Sequence, residues 1–179
     1  MRLAGVIVLS VLLLCGGCVT DGPAPEPRPQ PRVVREPPGL TPESIVLSAE
    51  PFPIDTDDNG FADTFRVSAF LFPDPRKHPL PIHADGTFIF TLTDENEQRV
   101  ARWELGQTDV DRARVRPLVG PGHLFVLSLL DVTTDRISAL RGNLTCEFIP
   151  KGGTEEDAIR ARGTATLRIG PTGMAGVGG

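Results

Sequence analysis

The chain has 179 residues, a net charge of −5, eighteen prolines, nineteen glycines, three cysteines and no tyrosine. Beyond residue 42 it carries twenty acidic and fourteen basic side chains, a net of −6 that disfavours a nucleic-acid partner. No Cys/His spacing suits tetrahedral zinc, and no Gly-x-Ser-x-Gly, phosphate loop or dinucleotide fingerprint is present.

Arg2 opens the chain, and an apolar run from Leu3 to Leu14 follows, interrupted only by Gly5 and Ser10. Cys15, Gly16, Gly17 and Cys18 come next. The run is too short to span a bilayer, which needs about 18 apolar residues, and its flanks are those of a secretory signal peptide. With small residues ahead of Cys18, the segment resembles the signals of bacterial lipoproteins. That resemblance implies cleavage after residue 17 and lipidation of Cys18, which places the protein in the cell envelope. Val19 stands where an aspartate marks inner-membrane retention in some Gram-negative bacteria, so the outer membrane is favoured over the inner. A lipidated cysteine with several acyl chains clears the threshold for stable membrane anchoring.

Residues 18–42 read as a disordered, proline-rich linker, with proline at every second position from Pro23 to Pro31. Proline fixes φ and donates no hydrogen bond, so the stretch is expected as a semi-rigid polyproline II spacer rising about 3.1 Å per residue. Its acidic and basic side chains cancel, and adhesion to anionic lipid is not indicated.

Residues 43–170 are expected to form one all-β domain, a single antiparallel β-sandwich of about seven strands, with 171–179 a frayed, glycine-rich tail. Period-two alternation sets Ile45 and Leu47 on one face of Ser44–Glu50, and Phe65, Val67, Ala69 and Leu71 on one face of Asp63–Phe72. Thr87–Thr93 does the same with Phe88, Phe90 and Leu92, and Arg99–Leu105 with Ala101, Trp103 and Leu105. His123–Leu130 is almost wholly apolar and reads as a central strand. Leu144–Ile149 and Ala158–Ile169 read as a closing hairpin around residues 150–157. A short helix is expected over Asp109–Arg114, with Thr108 as its N-cap and Pro117 beyond its end. Trp103 and the nine phenylalanines are read as core.

Asp55-Thr56-Asp57-Asp58-Asn59-Gly60-Phe61-Ala62-Asp63 is the sharpest motif. Oxygen side chains fall at positions one, three, five and nine, with glycine at six. A hard cation takes six to eight oxygens, and a loop turning at glycine wraps them around it. The nine residues resemble the calcium loops of EF-hands, dockerins and thrombospondin type 3 repeats. The resemblance implies Asp55, Asp57, Asn59, Asp63 and the Phe61 carbonyl as Ca²⁺ ligands, with weak affinity of about 10⁻⁴ to 10⁻³ M. Position twelve, glutamate in an EF-hand, is Arg66. The alternative is a plain turn, since Asp-Asn-Gly accepts positive φ without a metal.

His83 and Asp85 form a His-x-Asp pair beside the loop Pro73–Pro81, and Cys146 alternates with Leu144 and Phe148 as a buried thiol. Catalysis would require His83, Asp85 and Cys146 to converge. The reading is therefore a non-catalytic, lipid-anchored interaction or structural module. Its membrane contact is Cys18, and its partner is an envelope protein or glycan. A calcium-dependent carbohydrate- or peptide-binding module is the alternative, and an enzyme the second.

Overall fold

The computed structural model describes residues 36–172. The signal, Cys18, the prolines from 23 to 31 and residues 173–179 lie outside that range. The strands run β1 (Ser44–Ala49), β2 (Phe61–Ala62), β3 (Thr64–Phe72), β4 (Gly86–Thr93) and β5 (Arg99–Leu105). The helix α1 (Gln107–Ala113) leads to β6 (Arg114–Val115), β7 (Gly122–Ser128), β8 (Arg141–Pro150), β9 (Ile159–Arg160), β10 (Ala165–Arg168) and β11 (Gly170–Pro171). One sheet has the order β1-β3-β7-β6 and the other β10-β8-β4-β5, with β9 also on β8; every pairing is antiparallel. Among the described residues no helix is long and apolar enough to cross a membrane.

The sheets bury the faces that alternation marks. Phe65, Val67, Ala69 and Leu71 of β3 meet Phe88, Phe90 and Leu92 of β4 and Leu144, Cys146 and Phe148 of β8 in one core. Phe88 sits at its centre, 4.8 Å from Phe148 and 5.0 Å from Phe125 between ring centroids. Such tilted pairs add to the burial of aromatic area. Trp103 is buried and donates its Nε1–H to the Ser128 carbonyl, 2.8 Å away, which ties β5 to the end of β7.

Four expectations shift. The helix begins at Gln107 with Gly106 as N-cap and no side-chain cap, so Thr108 lies inside its first turn. It ends at Ala113, before Pro117, because Arg114 and Val115 leave to pair with His123 and Gly122. β7 has strand partners on both sides only at His123; further along it pairs with β3 alone, and Leu124 and Val126 are exposed. The segment Ala158–Ile169 is two strands. Residues 159–160 pair with β8 in one register and 165–168 in a register two residues away. A shift of two preserves the face on which alternate side chains point, so the alternation reads through the break.

The tail is not frayed at its start. Gly170 and Pro171 pair with Ala62 and Phe61, and Thr172 N–H donates to the Gly60 carbonyl at 2.7 Å. At the other end, residues 36–42 lie on the domain. Glu36 accepts from the His83 N–H at 3.0 Å and the Arg116 guanidinium at 3.2 Å, and Leu40 packs against the core.

Candidate metal centre and adjoining groove

β1 ends at Ala49 and β3 begins at Thr64, and the loop between them carries the motif. Asp58, at φ 56°, and Gly60, at φ 87°, turn the chain back on itself. Both are residue types that tolerate the left-handed region. Asp55 closes this turn by accepting from the Asn59 N–H at 3.2 Å and the Gly60 N–H at 2.8 Å. Asp57 accepts from the Asn59 backbone at 3.3 Å and side chain at 2.9 Å.

Asp63 is fully buried at the base. Burial opposes its charge. Hydrogen bonds from the Thr64 hydroxyl and from the backbone and hydroxyl of Thr56 outweigh it and hold the carboxyl below its ordinary value. One carboxylate oxygen from each of Asp55, Asp57 and Asp63 lies within 4.8 Å of the other two. Oxygens that share a calcium ion at 2.3–2.6 Å can stand up to about 5 Å apart, so the three carboxylates fit a hard cation.

The other two sequence-derived ligands, Asn59 and Phe61, lie between Asp57 and Asp63 of that trio in the chain. Asn59 turns its amide nitrogen to the carboxylates, bridging Asp57 and Asp135, and its oxygen accepts from the Phe61 N–H at 2.9 Å. In this arrangement it braces the loop as a donor. Phe61 is the first residue of β2, opposite Pro171. Arg66 faces solvent and pairs with Glu50 at 4.0 Å.

Sequence reasoning missed Asp135. It lies 76 residues from Asn59, is 3% exposed, and its Oδ2 is 2.5 Å from Asn59 Nδ2. Nothing local to Thr134-Asp135-Arg136 signals that role. It also missed Phe52, read as core but 84% exposed. The signal was there: Pro51 and Pro53 flank it, and a phenylalanine between two prolines cannot sit in a ladder interior. With Ala62, Arg168 and Pro171 these residues line a groove of about 200 Å³ beside the loop.

His83, Asp85 and Cys146 have separate partners. His83 Nε2 is 3.2 Å from the Gly122 carbonyl, and its Nδ1 is 3.7 Å from Glu36. Asp85 binds Arg114 at 2.6 Å. Cys146 is a free, buried thiol in the core beside Phe90, and burial pushes its pKa far up, away from thiolate chemistry.

No protein-family model and no curated protein matches the chain. Among solved structures, a Bifidobacterium dentium beta-glucuronidase complexed with coumarin-3-O-glucuronide aligns at 14% identity with a TM-score of 0.30. The match covers 70% of this chain and 17% of that one.

Proposed function

We propose that this protein is a lipid-anchored envelope module. Cys18 carries the lipid, the proline-rich stretch is the tether, and the sandwich is a non-catalytic display domain. The observation that carries the reading is the polarity of the domain. Glu43 N–H bonds the Phe72 carbonyl and Glu36 bonds His83, so the chain arrives at the Phe72 end of β3. Asp63 and the Phe52 groove lie at the Thr64 end. Nine residues of strand put these ends about 27 Å apart. The end that carries Asp63 and Phe52 is therefore the one far from Glu36, where the described domain begins.

Ca²⁺ held by Asp55, Asp57 and Asp63 would act as a structural ion, neutralising the clustered charge and fixing the loop. A second reading, calcium-dependent binding of a carbohydrate or peptide, is favoured by the exposed Phe52 in a groove beside that loop. The anchor is tested by expressing the full chain with a radiolabelled fatty acid. The wild type should take up label and sediment with membranes, and Cys18→Ser should remain unlabelled. Unlabelled, soluble wild-type protein would overturn the reading.

A further inference from the structure

A turn at the tethered end has the wrong composition for its place. Residues 117–120 form a β-turn closed by the Gly120 N–H on the Pro117 carbonyl at 3.0 Å. Its two corner residues are Leu118, fully exposed, and Val119, 61% exposed. Turn corners in water are ordinarily Gly, Pro, Asn, Asp or Ser, for reasons of backbone shape and hydrogen bonding. Leu and Val offer neither advantage. The turn is also held firmly: Gly120, at φ 117°, lies against the Pro81 ring, and Pro121 behind it is buried.

The basic residues beside this tip are compensated. Arg112 pairs with Asp109 at 3.6 Å, Arg114 with Asp85 and Asp111, and Arg116 with Glu36. The collar therefore offers little net charge to an acidic partner, and what remains unsatisfied is apolar surface. Arg116, two residues before Leu118, holds Glu36, where the chain from Cys18 enters the domain. From Cys18 to Glu36 an extended chain reaches at most about 60 Å, long enough to stand off the bilayer or to lie on it.

We propose that the Leu118–Val119 tip inserts into the apolar interface of the membrane that holds the lipid anchor, docking the domain with its Phe72 end down. This rests on the anchored reading above. Two side chains are too little apolar surface to hold a free domain on a bilayer, but a tether raises the local concentration enough for a weak contact to be occupied. The contact should be insensitive to anionic lipid and to salt, because the arginines are already paired.

The test uses the full lipidated chain in vesicles of phosphatidylethanolamine and phosphatidylglycerol. A bimane probe is placed at Val119→Cys or, on the outer sheet face, at Val126→Cys; buried Cys146 will not label. Brominated lipid should quench the probe at 119 several-fold more than at 126. Leu118→Asp in the 119-labelled chain should remove that difference, and replacing phosphatidylglycerol with a zwitterionic lipid should leave it unchanged. Equal quenching at 119 and 126 in lipidated protein overturns the tip alone. A blue shift at 119 that follows protein density without lipid quenching means a second copy covers the tip, and also overturns it. Protein without fatty acid on Cys18 overturns the anchor and the docking together.

Discussion

His83 and His123 meet edge to face, their ring centroids 5.3 Å apart, with His123 completely buried between β3, β4 and β7. Both His123 nitrogens lack a hydrogen-bond partner among the described residues. Burial, with the His83 and Arg114 charges adding to it, lowers its pKa from 6.5 to about 4. The ring is held neutral as a flat hydrophobe, 5.0 Å from Phe88 and stacked on Phe125.

That arrangement dictates a pH dependence. The unfolded histidine takes its proton near pH 6.5 and the folded one only near 4. Between those values the unfolded state binds more protons, so stability is full above pH 6.5 and falls as pH drops toward 4. The loss is of order 3 kcal/mol at the lower end. Urea unfolding at pH 7 and pH 4.5 should show it, and His123→Phe should flatten the difference. Asp63, held low by its hydrogen bonds, acts below its ordinary value of 3.8 and so outside this window. An unchanged pH slope in His123→Phe would refute the assignment.

The acidic loop predicts a metal response. Millimolar Ca²⁺ should raise the melting temperature, and Asp57→Ala should abolish the rise while leaving the metal-free protein nearly as stable, since Asp57 is exposed. Asp63→Ala should differ by costing about 1–3 kcal/mol without calcium, because Thr56 and Thr64 lose a buried acceptor. Calorimetry with and without a chelator separates the two. An intact domain indifferent to calcium would leave the loop as a turn.

Phe52 carries a prediction of the opposite kind. Its side chain is exposed, so Phe52→Ala should change stability by no more than about 0.5 kcal/mol. If the groove binds envelope glycan, the same substitution should abolish cosedimentation with purified peptidoglycan in calcium, and chelator should do the same to the wild type. Cosedimentation of Phe52→Ala equal to wild type would remove the carbohydrate reading.

How much of this was legible depended on the range of the interactions. Alternation gave the inward faces of β3, β4, β5 and β8, because a strand with one buried face writes its period into adjacent residues. The Asp55–Asp63 loop was legible for the same reason, its parts lying within nine residues. Asp135 was not, since it meets Asn59 only through the fold. The apolar run at β7 misled because Leu124 and Val126 sit on an uncovered face, where composition signals burial that does not occur. The tail misled because its glycine content suggested slack from residue 171, whereas Pro171 pairs with Phe61 and the domain's last residue, Gly170, is there for a close approach.

That close approach gives the last prediction. Gly170 has φ 72°, and a Cβ on it would lie 2.7 Å from the Ile137 carbonyl oxygen and closer still to that of Ala139. These are backbone atoms and cannot swing aside. They belong to the segment that follows Asp135, while the pairing of Gly170 with Ala62 holds the exit of the acidic loop. Gly170→Ala should therefore cost more than backbone strain alone. Gly152→Ala is the control, with φ 81° and nothing within 4 Å of its added Cβ, and should cost about 1 kcal/mol. Gly170→Ala should lose at least twice that in urea unfolding, and should also weaken the calcium-induced rise in melting temperature by loosening β2. Equal losses in the two variants would mean that the 170–172 segment does not clamp the loop.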